Sequence, residues 1–371
     1  MQSLLRTSWI TILTLLAYGV CALSSYGQSR DERKLLKLRT DAQRGVLAAE
    51  IELAAQYLTG DGVPQDANLA AHWYEKAAQS GDREAQNQIG YLYQAGIGVP
   101  IDLSRALHWY QIAAASGFAP AKLNLGILYI KGLGVRKDIP FAMQLFEEGA
   151  STGNGTAACY LGQIYYFGLA GIKDLPAAEK WFQVGTKLHD PLAAYNLGLL
   201  FSVAPDHPHD FRKAADLLKQ SAESGYVPAM HSLGLLLLNH PELKQTEHQS
   251  LTLFEAAANA GEWRSSLLLG ILARDGKGVP VDKQSANYHF QIAVLQGGDE
   301  AEYLLRHDID LLSGPLDKDE RLAITSAAHS WYTQHSSAQP FLAGGRSQGK
   351  YFQIQPGSEI MQKILAEGAA R

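Results

Sequence analysis

Cysteine is nearly absent from this chain of 371 residues: Cys21 and Cys159 are its two thiols. That excludes a disulfide framework, and Cys21 lies inside an apolar leader segment, so stability has to come from packing. Cys159, set between Ala158 and Tyr160, reads as a small apolar filler. Charge is sparse as well, at 19% of residues, and no cluster of Lys and Arg breaks the pattern. A formal net charge of -5 offers no phosphate-neutralising face, which excludes nucleic acid as a partner class. Loss of Arg6 with a leader would make the chain more acidic still.

Long apolar runs are also missing, apart from Trp9 to Leu23. Interrupted by Thr11, Thr14 and Gly19, this run is short for a membrane span and suits the core of a secretion signal. Val20-Cys21-Ala22 fits a cleavage site with small residues at its first and third positions, and Ser25-Tyr26-Gly27 is a second candidate. An uncleaved anchor and a lipoprotein through Cys21 are the alternatives; bulky Val20 opposes the lipoprotein. Residues 1–27 are therefore expected to be a signal peptide. The mature chain is expected to be periplasmic or secreted, or inner-membrane anchored if the segment is retained.

What the chain has in quantity is glycine, 35 residues, and its spacing organises everything else. Every thirty-sixth position from Gly45 reads Gly81, Gly117, Gly153, His189, Gly225, Gly261 and Gly297. A register held that long marks an array of structural units. Four residues after each of these stands a small residue (Ala85, Ala121, Ala157, Ala193, Ala229, Ser265). Four further on stands an aliphatic one (Ile89, Leu125, Leu161, Leu197, Leu233, Leu269), followed at once by glycine (Gly90, Gly126, Gly162, Gly198, Gly234, Gly270). Steps of four, continued by Tyr57, Tyr93, Tyr129 and Tyr165, trace one face of a first helix. A glycine inside a helix costs about 1 kcal/mol relative to alanine, which makes sense where a second helix crosses too closely for a side chain.

The first helix stops at GxGV: Gly60, Gly62 and Val63, repeated at Gly96, Gly132 and Gly276, because a glycine just past a helix closes its C-terminus in the left-handed conformation. Three residues after the valine, Asp66, Asp102, Asp138 or Asp282 can accept the free amides that open the second helix, and Asp174 and Asp210 keep that column. Thr246 with Gln249 reads as a capping box in the sixth unit. The second helix carries a small residue, a large pair (Trp73-Tyr74, Trp109-Tyr110, Leu145-Phe146, Trp181-Phe182, Leu217-Leu218, Leu253-Phe254, His289-Phe290) and a small pair. Rings recurring at every unit read as a repeated core rather than a stacking platform for a ligand.

The pattern A-x-x-x-L-G-x-x-Y-x-x-G-x-G-V-x-x-D-x-x-x-A-x-x-W-Y-x-x-A-A-x-x-G resembles the Sel1-like repeat, a relative of the tetratricopeptide repeat. It covers residues 45–305, about seven units of about 36 residues. The resemblance implies an all-α, right-handed superhelical α/α solenoid with no catalytic site and no cofactor or metal, and the absence of paired cysteines separates it from the disulfide-stapled branch. Two loops depart from the motif, Ser202 to His209 and Asn239 to Glu242, where helices are expected to survive around rebuilt turns. Residues 28–44 read as a charged N-terminal capping helix. Residues 306–335 read as C-terminal capping helices, with Asp317 and Glu320 at the start of one running to about residue 333. Residues 336–371 form a Ser/Gln/Gly/Pro tail with a short helix from Ser358 to Glu367.

Catalytic and metal motifs fail on inspection. Gly344 to Lys350 matches G-x-x-x-x-G-K, but Tyr351 stands where Ser or Thr would hold magnesium, and no strand precedes it. Ser347-Gln348-Gly349-Lys350 matches S-x-x-K without K-T-G or S-D-N. His207 and His209 beside Asp206 and Asp210 form the nearest approach to a metal cluster, with Asp210 as a plain helix cap the competing reading. A protein or peptide partner remains, held on the concave surface that solenoids line with first helices. Gln88, Asn124, Tyr160, Asn196 and Ser232, seven residues after each repeat position, form the candidate contact row, since side-chain amides can bond a bound chain's backbone; a solvated face is the alternative. A peptidoglycan- or carbohydrate-binding or hydrolytic protein with its site in the tail is the competing function.

Overall fold

A computed structural model describes residues 30–336, apart from 244–247 and 315. Within them the chain is all helical: α1 (Arg30–Gln43), α2 (Leu47–Thr59), α3 (Ala67–Gln79), α4 (Arg83–Ala95), α5 (Leu103–Ala115), α6 (Ala119–Lys131), α7 (Ile139–Ser151), α8 (Gly155–Phe167), α9 (Leu175–Lys187), α10 (Pro191–Val203), α11 (Phe211–Glu223), α12 (Val227–Asn239), α13 (Gln249–Asn259), α14 (Trp263–Asp275), α15 (Lys283–Gly297), α16 (Asp299–Ser313) and α17 (Lys318–Ser336), with one 3-10 turn at Pro241–Leu243. The signal segment, the tail with its two rejected motifs, and Thr246 lie outside the described residues. Two compact units divide the chain, residues 1–137 and 138–371.

The aspartate column performs as its chemistry requires. Asp66 accepts from the Asn68 and Leu69 amides, and Asp102, Asp138, Asp174, Asp210 and Asp282 cap their helices in the same way, which satisfies amides that the helix itself leaves free. Asp66, Asp102, Asp174, Asp210 and Asp282 are also tied back to the preceding helix. The Asp66 amide donates to the Tyr57 carbonyl at 2.9 Å, Asp102 to Tyr93 at 2.9 Å and Asp174 to Tyr165 at 2.9 Å. Between them the GxGV loop is compressed: at Gly98, where φ is +69°, an added Cβ would fall 1.9 Å from the Ala67 carbonyl oxygen, so neither the conformation nor the space admits a side chain.

The glycine within the first helices α4, α8, α10, α12 and α14 marks a close crossing. An added Cβ would meet Tyr110 at 2.8 Å from Gly90, Phe182 at 2.5 Å from Gly162, Phe254 at 2.6 Å from Gly234 and Phe290 at 2.4 Å from Gly270. Those rings belong to the second member of the large pair and are wholly buried, each contributing about 1.5–3 kcal/mol of transfer free energy. The first member is not equivalent: Trp73, Trp109 and Trp181 are only half-buried. Second helices are wet on their outer side, whereas α8, α10 and α14 are buried around most of their circumference.

Both divergent loops keep their helices. In the fifth unit α10 ends on an extended Ala204 instead of a left-handed glycine, yet the Asp210 amide still donates to the Phe201 carbonyl at 3.0 Å. His209 Nε2 lies 3.1 Å from the Ala204 carbonyl oxygen, and the His207 ring meets Phe201 edge-on. In the sixth unit the 3-10 turn replaces the glycines and the His240 ring stacks on Phe211, centroids 3.8 Å apart. Helix α13 begins at Gln249 with His248 in the cap position, a later start than a Thr246–Gln249 box implies. At the ends, α1 buries Ala42 and half-buries Leu35 and Leu38. Helix α16 starts at Asp299 and runs through the expected array boundary at 305, and Asp317 and Glu320 form a reciprocal capping box, 3.0 and 2.8 Å.

Candidate functional site

The contact row expected from the sequence sits mostly inside the protein. Gln88 is half-buried, but Asn124, Tyr160, Asn196 and Ser232 are buried, Asn196 completely. Their polar groups serve the array. In the first unit Asn124 Nδ2 donates to Asn87 Oδ1 at 2.9 Å; in the second, Asn196 Nδ2 donates to Cys159 Sγ at 3.1 Å. Both bonds link the seventh residue of one repeat to the sixth of the repeat before. Tyr160 stacks on Phe146 with centroids 5.3 Å apart, and Ser232 neighbours Tyr195, whose hydroxyl pKa burial raises, with that serine acting in the opposite sense.

In the second unit Cys159, Tyr195, His231 and Leu267 of the sixth-position column are buried too. Cys159 is fully buried, and burial pushes its thiol up, first by desolvation and then by the Asp190 charge, so it is an unreactive filler. His231 Nδ1 lies 2.8 Å from Ser265 Oγ, and burial, seconded by the Arg264 charge, lowers its pKa to about 3.

The half-exposed chemistry lies elsewhere, at the entrances of the first helices. One residue past each repeat position, Asn154, Asp190, Tyr226 and Glu262 are all half-buried. Tyr226 is within electrostatic reach of both Asp190 and Glu262, and its ring meets Tyr195 edge-on at 5.0 Å. Asp190 accepts from the Thr156 hydroxyl at 2.6 Å and the Ala193 amide at 2.7 Å. Burial raises the carboxyl pKa of Asp190 and of Glu262, with these hydrogen bonds and, for Glu262, Arg264 acting in the opposite sense. Arg264 stacks over Trp263 at 4.7 Å and lies 3.7 Å from both Glu262 and Glu300. The sequence carried a signal for this row: a fixed slot, next to an invariant-looking glycine, filled by a different polar or aromatic residue in each unit.

The histidine-aspartate stretch is occupied by structural bonds. Asp210 caps α11, Asp206 pairs with Lys173 at 3.1 Å, and His207 Nε2 lies 3.1 Å from Glu179. No group of three metal-ligating side chains comes together among the described residues, and no described helix is long and apolar enough to cross a membrane.

These features define the class: an α-helical repeat solenoid of the protein-interaction scaffold kind. The Sel1 repeat matches residues 47–82, 83–118, 119–154, 155–188, 191–226 and 264–298, more than half of the chain, and the protein belongs to that family. The unit over 227–262, which carries the second divergent loop, is not among the matched segments but folds as the pair α12 and α13. A Sel1 repeat protein from Oxalobacter formigenes is 29% identical, with a TM-score of 0.53 over 57% of this chain and 86% of that one. A protective antigen of uropathogenic Escherichia coli strains displaying an SLR fold is 24% identical, with a TM-score of 0.43 over 83% of this chain and 73% of that one. DAP3-binding cell death enhancer 1 of Rattus norvegicus is 34% identical over 95 residues, 26% of this chain and 18% of that protein's length.

Proposed function

We propose that the protein is a non-catalytic adaptor of the bacterial cell envelope, periplasmic or secreted, that holds a protein or peptide partner on the face presented by its first helices. The carrying observation is the division of labour along those helices. Asn124, Tyr160, Asn196 and Ser232 are buried and Gln88 is half-buried, with Asn124 and Asn196 bonded to the preceding repeat, and the half-buried row of Asp190, Tyr226, Glu262 and Arg264 presents partly desolvated charge beside aromatic surface. Such groups strengthen a polar contact once water is displaced, and arginine and tyrosine are the residues enriched where interfaces concentrate their energy. In this reading the candidate row acts from beneath, with Gln88 as its member nearest the surface. The apolar segment before residue 24 supports export.

The test is affinity capture from an envelope extract of the source cell. Tyr226→Ala/Arg264→Ala is one comparison bait and Asn124→Ala/Asn196→Ala the other. Capture that survives in neither variant supports the face with its supporting row. Retention by both removes this face from the proposal, and retention of envelope glycan without protein turns the function to the tail.

A further inference from the structure

Each end of the array displays a helix without its repeat partner, and the two ends are opposite in kind and in charge. Helix α1 precedes the repeat position Gly45 and packs on α2 as a second helix packs on the first helix of the next unit; no first helix of its own unit precedes it among the described residues. Helix α16 follows the repeat position Gly297 and packs on α15 as a first helix does, while α17 also turns onto α15. The outer side of α1 exposes Leu36, 56% accessible, one helical turn from Arg33 and from Arg39. The outer side of α16 exposes Tyr303, 85% accessible, and Leu311, 62%, and Tyr303 shares a shallow pocket with Asp299, Glu302, Arg306, His307 and Asp310. Along their lengths α1 carries five basic side chains to three acidic ones, and α16 five acidic to one basic.

Within the array the sixth residue of one repeat meets the seventh of the next, as Asn87 meets Asn124 and Cys159 meets Asn196. Tyr303 is the sixth residue after the repeat position Gly297, and no further repeat follows it among the described residues. A polar terminal helix is the usual way to end a solenoid in water, but an exposed tyrosine and leucine on one end and a leucine on the other exceed what capping needs.

We infer that α16 of one molecule docks against α1 of a second copy, apolar centre to apolar centre with the acidic flank of α16 against the basic flank of α1. Such a contact is heterologous, head to tail, and therefore propagates into chains or closes into a ring. It is looser than an internal crossing: Arg306 stands at the column that holds glycine inside the array and Lys37 at the column that holds the tryptophans, so no close helix approach is available. Association is accordingly weak, reversible and driven in good part by charge. This goes beyond the adaptor reading and does not depend on it: α16 meets that row only where Glu300 lies 3.7 Å from Arg264, and the residues substituted below are not members of the row.

Sedimentation velocity of the full chain tests the inference. At low salt the average mass is expected to rise at least twofold with concentration, and to return to that of the monomer near 1 M salt, where the screening length is about 3 Å. Arg33→Glu/Arg39→Glu and Asp299→Lys/Glu302→Lys/Asp310→Lys should each remain monomeric alone, and the two mixed together should regain the association because both junctions again pair opposite charges. That rescue separates a docking effect from a folding defect. Association that survives in either variant alone, or resists high salt, places the contact elsewhere and overturns the inference. So does a monomer at every concentration in low salt, whatever then covers α16.

Discussion

Replacing Gly162 by alanine sets two well-measured effects against each other. Alanine is the better helix former by about 1 kcal/mol, so an isolated α8 would gain. In the folded protein the new methyl group falls 2.5 Å from both Cδ1 and Cε1 of Phe182 and 3.0 Å from its Cγ, well inside the carbon–carbon optimum of about 3.5–4.0 Å. Phe182 is 0% exposed, and an enclosed ring cannot swing aside without displacing neighbours. Overpacking of this kind costs about 1–3 kcal/mol. With contact at several ring atoms we take the upper part of that range, leaving a net loss of about 1–2 kcal/mol after the helix gain. The assay is urea unfolding of the full chain followed by far-ultraviolet circular dichroism, comparing midpoints at unchanged slope. Phe182→Leu supplies the control, because Leu218 already occupies the equivalent slot opposite Gly198, with its Cγ 2.9 Å from an added Cβ. The double variant should be less destabilised than the two single losses summed, by at least about 0.5 kcal/mol. A Gly162→Ala protein as stable as the parent, or additivity in the cycle, would refute the close-crossing account of the column.

Two further predictions concern histidines. His231, folded, has its pKa lowered to about 3 by burial and by Arg264, against about 6.5 unfolded. Below pH 6.5 the unfolded chain binds the proton first, so stability falls as pH falls toward 3; at pH 5 the loss is about 2 kcal/mol. His289, lowered to about 4 by burial with Asp282 acting against it, adds a slope of the same sign. His231→Gln should flatten the difference between unfolding midpoints at pH 7.5 and pH 5, and an unaltered difference would remove His231 as its source. His189 stands in the repeat-glycine column with φ at +58° and is exposed. His189→Gly should therefore raise stability by about 1 kcal/mol; a lowered urea midpoint would show that the imidazole makes a contact outweighing the strain.

Much of this protein is determined by residues that act at short range. A glycine after an apolar stripe ends a helix, an aspartate three residues past a valine begins the next, and both chemistries work within one turn, so Asp66, Asp102, Asp138 and Asp282 cap as their spacing implies. The period then assigns the small and large columns to the helix crossing, because a cost repeated in every unit needs a packing reason. The fifth and sixth units show that even these local signals are replaceable: α10 and α12 keep their length without loop glycines, and in the fifth Phe201 and Asp210 preserve the bond that ties cap to helix.

Tertiary structure decided which polar residues face water. Asn196 and Gln88 occupy the same column, yet the first is fully buried and the second half-buried, because burial there depends on what the neighbouring repeat sets against it. For Asn196 that neighbour is Cys159, thirty-seven positions back, a distance at which periodicity within one helix carries no information. The same holds for Asp190, Tyr226 and Glu262, which look like ordinary helix-entrance residues until stacking brings the entrances of successive first helices together. Local spacing wrote the repeat unit; which of its polar residues stay at the surface was decided only when successive repeats packed, since exposure is a property of the neighbours and not of the residue.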